Sequence, residues 1–138
     1  MHPNAPGVVW LTRQWLVRAQ RDLRAAEHDA TAVPSLRDMV VYHAQQAAEK
    51  ALKAFLTWHS LLFPKTHDLS LLLLQCESID GSFAAFRTAA RLLTPYASQF
   101  RYPGSVEEPA QVEADTAVRL AWDVLRQVLS RLPHQTHP

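Results

Sequence analysis

The chain has 138 residues, 48% hydrophobic and 20% charged, which is the composition of a globular protein at the size of a single domain. Its 14 Lys and Arg nearly balance 13 Asp and Glu for a formal charge of +1, so a strong sequence-independent grip on a polyanion is excluded unless cations cluster locally. Three glycines against nine prolines leave few positions for the positive φ of tight hairpins, which disfavours a β-meander and makes helices the expectation.

Cys76 is the single cysteine; with neither a disulfide framework nor a CxxC pair, the chain reads as cytoplasmic and metal-independent. Arg13 and Arg18 interrupt the apolar N-terminal stretch, and the longest apolar runs, such as residues 71–74, are only a few residues long. Neither a signal segment nor a membrane span is expected.

In chain order, Trp15, Ala19, Leu23 and Ala26 recur three or four apart, which predicts a first amphipathic helix over about residues 12–32. After Pro34, Ser35 is a natural N-cap for a second, longest helix over about 36–62. The apolar set of that helix, Val40, Ala44, Ala47, Ala51, Ala54, Phe55 and Trp58, is rich in alanine and lets a neighbouring helix approach closely. Residues 63–67 break the pattern, with Thr66 or His67 as the expected cap and Asp68 in the first turn of the next helix. That third helix covers about 69–76, stops around 78–81 and resumes over 83–99, with Pro95 kinking its last turns. A second break at Phe100-Arg101-Tyr102-Pro103-Gly104 precedes a final helix over about 109–132, and the tail 133–138 is expected to fray. Cys76 and the four tryptophans Trp10, Trp15, Trp58 and Trp122 read as core or interface groups. The predicted fold is all-α: one domain spanning 1–138 with its core at about 11–132, an up-and-down bundle of four long helices with a short extra helix between the second and third.

The stretch from Tyr42 to Phe55, which contains QQAAEKALKA, the turn Pro64-Lys65-Thr66-His67-Asp68-Leu69, and Arg101-Tyr102-Pro103 preceded by Tyr96, together resemble HEPN domains, the helical family named for higher eukaryotes and prokaryotes nucleotide-binding. The resemblance runs from about Leu11 to Leu132, with the three motifs in the family's order. It implies a four- or five-helix bundle, commonly a homodimer, often encoded beside a minimal nucleotidyltransferase in toxin–antitoxin or nucleotide-handling pairs. Many HEPN proteins are metal-independent endoribonucleases whose signature is an Arg followed four to six residues later by a His near the last helix. This chain departs from that pattern. Arg101 is followed by Tyr-Pro-Gly-Ser-Val-Glu-Glu-Pro, with no His in reach. Pairs of similar spacing at Arg21/His28, Arg37/His43 and Arg131/His137 are about what chance supplies. Only Arg37/His43 lies beside a family motif, as a weak catalytic candidate on the wrong element. The expectation leans away from an enzyme, with an endoribonuclease toxin as the alternative.

Gln46, Lys50 and Lys53 share a helical stripe suited to a phosphate-bearing ligand. The competing reading is that both lysines solvate an outer face, with Glu49 and Lys53 as an i,i+4 pair. Lys65 and His67 sit at a helix N-terminus, where an anion is favoured and capping is the alternative. Arg101 and Tyr102 offer a guanidinium beside a phenol for a phosphate and a base, unless the Tyr102 ring simply plugs the bundle end. The nucleotide or anion-binding candidates are therefore Gln46, Lys50, Lys53, Lys65, His67, Arg101 and Tyr102. Lys65 and Arg101 meet only if the short inserted helix reverses the chain once more. His43, His59 and His67 lack an HExxH spacing, so neither a metal site nor another cofactor is expected. The expected partners are a second copy of the chain, a minimal nucleotidyltransferase, and a nucleotide or RNA, with no membrane.

Overall fold

The computed structural model describes residues 6–104 and 107–138. Five α-helices follow one another: α1 Pro6–Asp29, α2 Arg37–Trp58, α3 Leu69–Ile79, α4 Arg87–Leu93 and α5 Gln111–Ser130. Short 3-10 turns at Gly81–Phe86 and Thr94–Ala97 flank α4, so residues 81–97 form one helical run with tighter ends. No strand occurs among the described residues, and no helix there is long and apolar enough to cross a membrane. The all-α bundle expected from the sequence is present, with α1, α2, the 81–97 run and α5 as its long members and α3 as the extra helix.

The middle of the bundle is α2. Ala44, Ala47, Ala48, Ala51 and Ala54 are fully buried, as are Val41 and Leu56, so apolar groups face inward around most of the helix and neighbours close on it from several sides. Against it α1 runs antiparallel, because Asp22 meets His43 while Trp15 lies near Lys53. After α2 the chain returns in extended form, bringing the His67 carbonyl back to Gln45. From there α3 runs parallel to α2 and places Cys76 against the Leu52 carbonyl. The 81–97 run then reverses direction again, and α5 returns from the start of α2, where Arg37 meets Glu108, to Ser82, which receives a hydrogen bond from Gln127.

Several boundaries differ from the sequence expectation, each for a definable reason. Rather than continuing to residue 62, α2 ends at Trp58: Ser60 adopts φ 55°, and Ser60 N–H and Leu61 N–H donate to the Thr57 and Leu56 carbonyls. This is a Schellman termination formed without its usual glycine. Ser35 is not the N-cap of α2; Leu36 is, without a side-chain bond. The Ser35 hydroxyl and the Arg37 N–H instead both donate to Glu108, a capping carboxylate supplied from 71 residues along the chain at the positive end of the helix. Asp68, not Thr66 or His67, caps α3 by accepting from the Ser70 and Leu71 amides. Val112, in the first turn of α5, is exposed. The tail does not fray: His134–Thr136 form a 3-10 turn with Thr136 fully buried, packed against α1.

Candidate functional site

The polar stripe of α2 lies inside the molecule. The Glu49 side chain is 5% exposed and that of Lys53 11%, with Lys53 Nζ 2.9 Å from Glu49 Oε2. The other carboxylate oxygen, Oε1, accepts from His67 Nδ1 at 2.7 Å and from Gln45 Nε2 at 3.3 Å. Gln45 Nε2 also donates to the His67 carbonyl at 3.0 Å, and Gln46 Nε2 donates to Gln45 Oε1 at 2.8 Å. A carboxylate this buried persists only with its lone pairs satisfied, and this one is held by an ammonium, an imidazole and an amide. The lysine head also sits 5.7 Å from the Trp15 ring and 5.8 Å from the Phe63 ring. The reading of Lys53 as outer-face solvation is therefore wrong; its i,i+4 pairing with Glu49 is correct.

A second cluster joins α1 to α2. Asp22 accepts from His43 Nδ1 at 2.9 Å through one oxygen and from Lys50 through the other. Both lysines of the family stretch are thus neutralised by internal carboxylates. Each imidazole is held through Nδ1 by a carboxylate, which leaves Nε2 for other partners.

The start of α3 meets the end of the 81–97 run, because the chain does reverse once more. Thr94 Oγ1, at the end of the 81–97 run, accepts from the Leu69 N–H at the start of α3 at 3.1 Å. The Arg101 guanidinium lies 4.1 Å from the centre of the Tyr42 ring and donates from one terminal nitrogen to the Ala97 carbonyl at 2.8 Å. Tyr42 precedes Glu49 by seven residues, about 10 Å along the helix on the same side, so Arg101, His67 and Phe63 succeed one another down one flank of α2. Lys65 and Arg101 have no carboxylate partner among the described residues.

Tyr102 does not plug the bundle end; it is 71% exposed. The aromatic packing there comes from Tyr96, which stacks near Phe100 and donates its hydroxyl to Glu113. Burial, reinforced by Glu113, pushes the Tyr96 phenol well above its ordinary range. Arg37 and His43 are not brought to one place: Arg37 pairs with Glu108 at 3.4 Å and donates to the Pro109 carbonyl, whereas His43 faces Asp22. No group of three or more His, Cys, Asp or Glu able to hold a metal lies among the described residues.

Sequence reasoning missed Asp22, Gln45 and the contact of Tyr42 with Arg101. The available signal for Asp22 was its place beside Ala19, Leu23 and Ala26 on the inward side of α1. For Gln45 it was an amide inside an alanine-rich helix with no reason to be there except a buried partner.

The family model for the HEPN domain matches residues 12–131. The chain belongs to the HEPN family. Among solved structures, this HEPN domain is similar to TT1696 from Thermus thermophilus, with 28% identity and a TM-score of 0.76 over 88% of this chain and 98% of the other. It is also similar to ST0689, an archaeal HEPN homologue, with 25% identity and a TM-score of 0.68 over 87% and 96% of the two chains. No functionally curated protein matches it.

Proposed function

We propose that this HEPN domain is a cytoplasmic, homodimeric module that binds the phosphate of a nucleotide or RNA and acts with a separately encoded minimal nucleotidyltransferase in a toxin–antitoxin pair. The observation that supports the reading is that His67, two residues after Lys65, and Arg101 both lie against α2, at Glu49 and Tyr42, while Lys65 and Arg101 are cations without a carboxylate partner among the described residues. Free cations attract an anion, and the exposed Tyr102 ring beside Arg101 suits a base. Lys50 and Lys53 serve this site from behind by fixing Asp22 and Glu49, and Gln46 by holding the Gln45 amide that serves Glu49; His67 presents Nε2 toward the ligand.

Calorimetric titration with ATP, AMP and a short RNA at low salt tests the proposal. Arg101→Ala and Lys65→Ala should each weaken binding by about 1–3 kcal/mol, as loss of a charge-assisted contact predicts. Unchanged affinity in both variants, or no binding by the wild type, refutes it. Light scattering should give about twice the 15.6 kDa chain mass, and the chain mass itself at micromolar concentration refutes the dimer.

The two carboxylate-held imidazoles favour one second reading, a metal-independent endoribonuclease, because an imidazole fixed through Nδ1 is suited to proton transfer at Nε2. RNA cleavage abolished by His67→Ala, His43→Ala or Arg37→Ala would establish it. The absence of a His after Arg101 argues for the binding module, which should leave single-stranded RNA intact.

A further inference from the structure

The near-neutral total charge hides an uneven distribution. Arg37, Lys50, Lys53, Arg87, Arg119, Arg126 and Arg131 each pair with a carboxylate. By contrast Arg13, Arg18, Arg21 and Arg24, all on α1, have no such partner among the described residues, and Arg13, Arg21 and Arg24 are exposed. At 3.6 residues per turn, Trp10, Arg13, Arg21, Arg24 and His28 fall within about 80° of arc on α1, a stripe about 27 Å long. Trp10 is 62% exposed. Arg21, Arg24 and His28, with Ala25 and Asp29, line an open depression of about 440 Å³. Asp22 lies about a quarter-turn or more away from this stripe and is engaged by α2.

We propose that the outer face of α1 is a track for single-stranded nucleic acid, in which Arg13, Arg21 and Arg24 pair with backbone phosphates and Trp10 stacks on a base. Exposed arginines left unpaired on one helix face retain their full attraction for anions, and the guanidinium fork matches phosphate oxygens. A surface tryptophan at the end of a basic stripe is the combination that holds unpaired bases, whose π-faces are accessible only when they are out of a duplex. This goes beyond the phosphate site between Lys65 and Arg101, since the track lies on a different helix face and needs neither residue.

Fluorescence anisotropy with a labelled 12-nucleotide single-stranded RNA of mixed sequence, between 50 and 200 mM salt, tests it. With about three phosphates engaged, log K should fall against log salt with a slope of roughly −2. The double variant Arg21→Gln/Arg24→Gln should bind at least about tenfold more weakly with a flatter slope, on the scale expected for two lost charge-assisted contacts. Trp10→Ala should weaken binding severalfold and remove ligand-induced quenching of tryptophan fluorescence. Binding of AMP should be unchanged in these variants, which separates failure of the track from failure of the Arg101 site. Unchanged RNA affinity in the double variant overturns the proposal. So does binding of the corresponding duplex by the wild type as tightly as the single strand, or stronger binding of poly-glutamate than of the RNA, which would mark an acidic protein surface as the occupant.

Discussion

Lys53→Ala is a test of whether the family stripe is scaffold or surface. The substitution removes the partner 2.9 Å from Glu49 Oε2 while His67 and Gln45 continue to serve Oε1, so a carboxylate 5% exposed loses its only opposing full charge of fixed sign. Deleting one member of a buried pair costs about 3–5 kcal/mol; because two donors remain, about 3 kcal/mol is the expectation, including the lost contacts of the ammonium with the Trp15 and Phe63 rings. With a urea m-value of roughly 2 kcal/mol/M, the unfolding midpoint should fall by about 1–2 M. The double variant Glu49→Gln/Lys53→Met should recover most of the loss, since it removes both charges together and keeps an amide for His67. A loss below about 1 kcal/mol, the value of an exposed pair, or a double variant no more stable than Lys53→Ala, refutes the reasoning.

Ser60→Gly should raise stability by about 0.5–1 kcal/mol in the same urea assay, because glycine adopts the left-handed conformation at the end of α2 without the Cβ penalty. Cys76, fully buried and with its thiol pushed up to about 12 by burial and by Glu77, should resist a thiol reagent in native protein and react at the unfolding rate. Asp80 is held below its ordinary 3.8 by hydrogen bonds from Ser82, and Glu108 below its ordinary 4.5 by Ser35 and the Arg37 amide. A depressed carboxyl contributes stability that is present above the ordinary value and lost as pH falls through the folded one, so thermal melts should decline on the acid side of these values, and Asp80→Asn with Glu108→Gln should flatten that decline.

The helices were legible because their signals are local. Alanine spacing in α2 and the apolar stripe of α5 both appear in the sequence at 3.6-residue intervals, and the breaks at Pro64 and Pro103 separate them. What escaped was supplied by distant partners. Ser35 looks like a cap until Glu108 takes its hydroxyl, and Lys53 looks like solvent surface until Trp15 and Phe63 cover it. The end of α2 was misplaced because serine carries no signal for a positive φ that glycine would have announced. The placement of His67 and Arg101 along α2 depends on the return of residues 59–68 and on the bond from Leu69 to Thr94, neither of which has a sequence periodicity.

The placement of Arg101 on Tyr42 has a further consequence for selectivity. The Tyr42 ring lies 4.1 Å from the guanidinium carbon, and the Ala97 carbonyl takes one of its hydrogens, so the side chain is restrained before any ligand arrives. Much of the rotamer entropy an exposed arginine loses on binding, up to about 2 kcal/mol, has then been given up during folding. A planar arrangement of donors with one orientation favours ligands that present two coplanar oxygens over a single diffuse charge, and a lysine at this position would keep the charge while losing both the stacking and the fork.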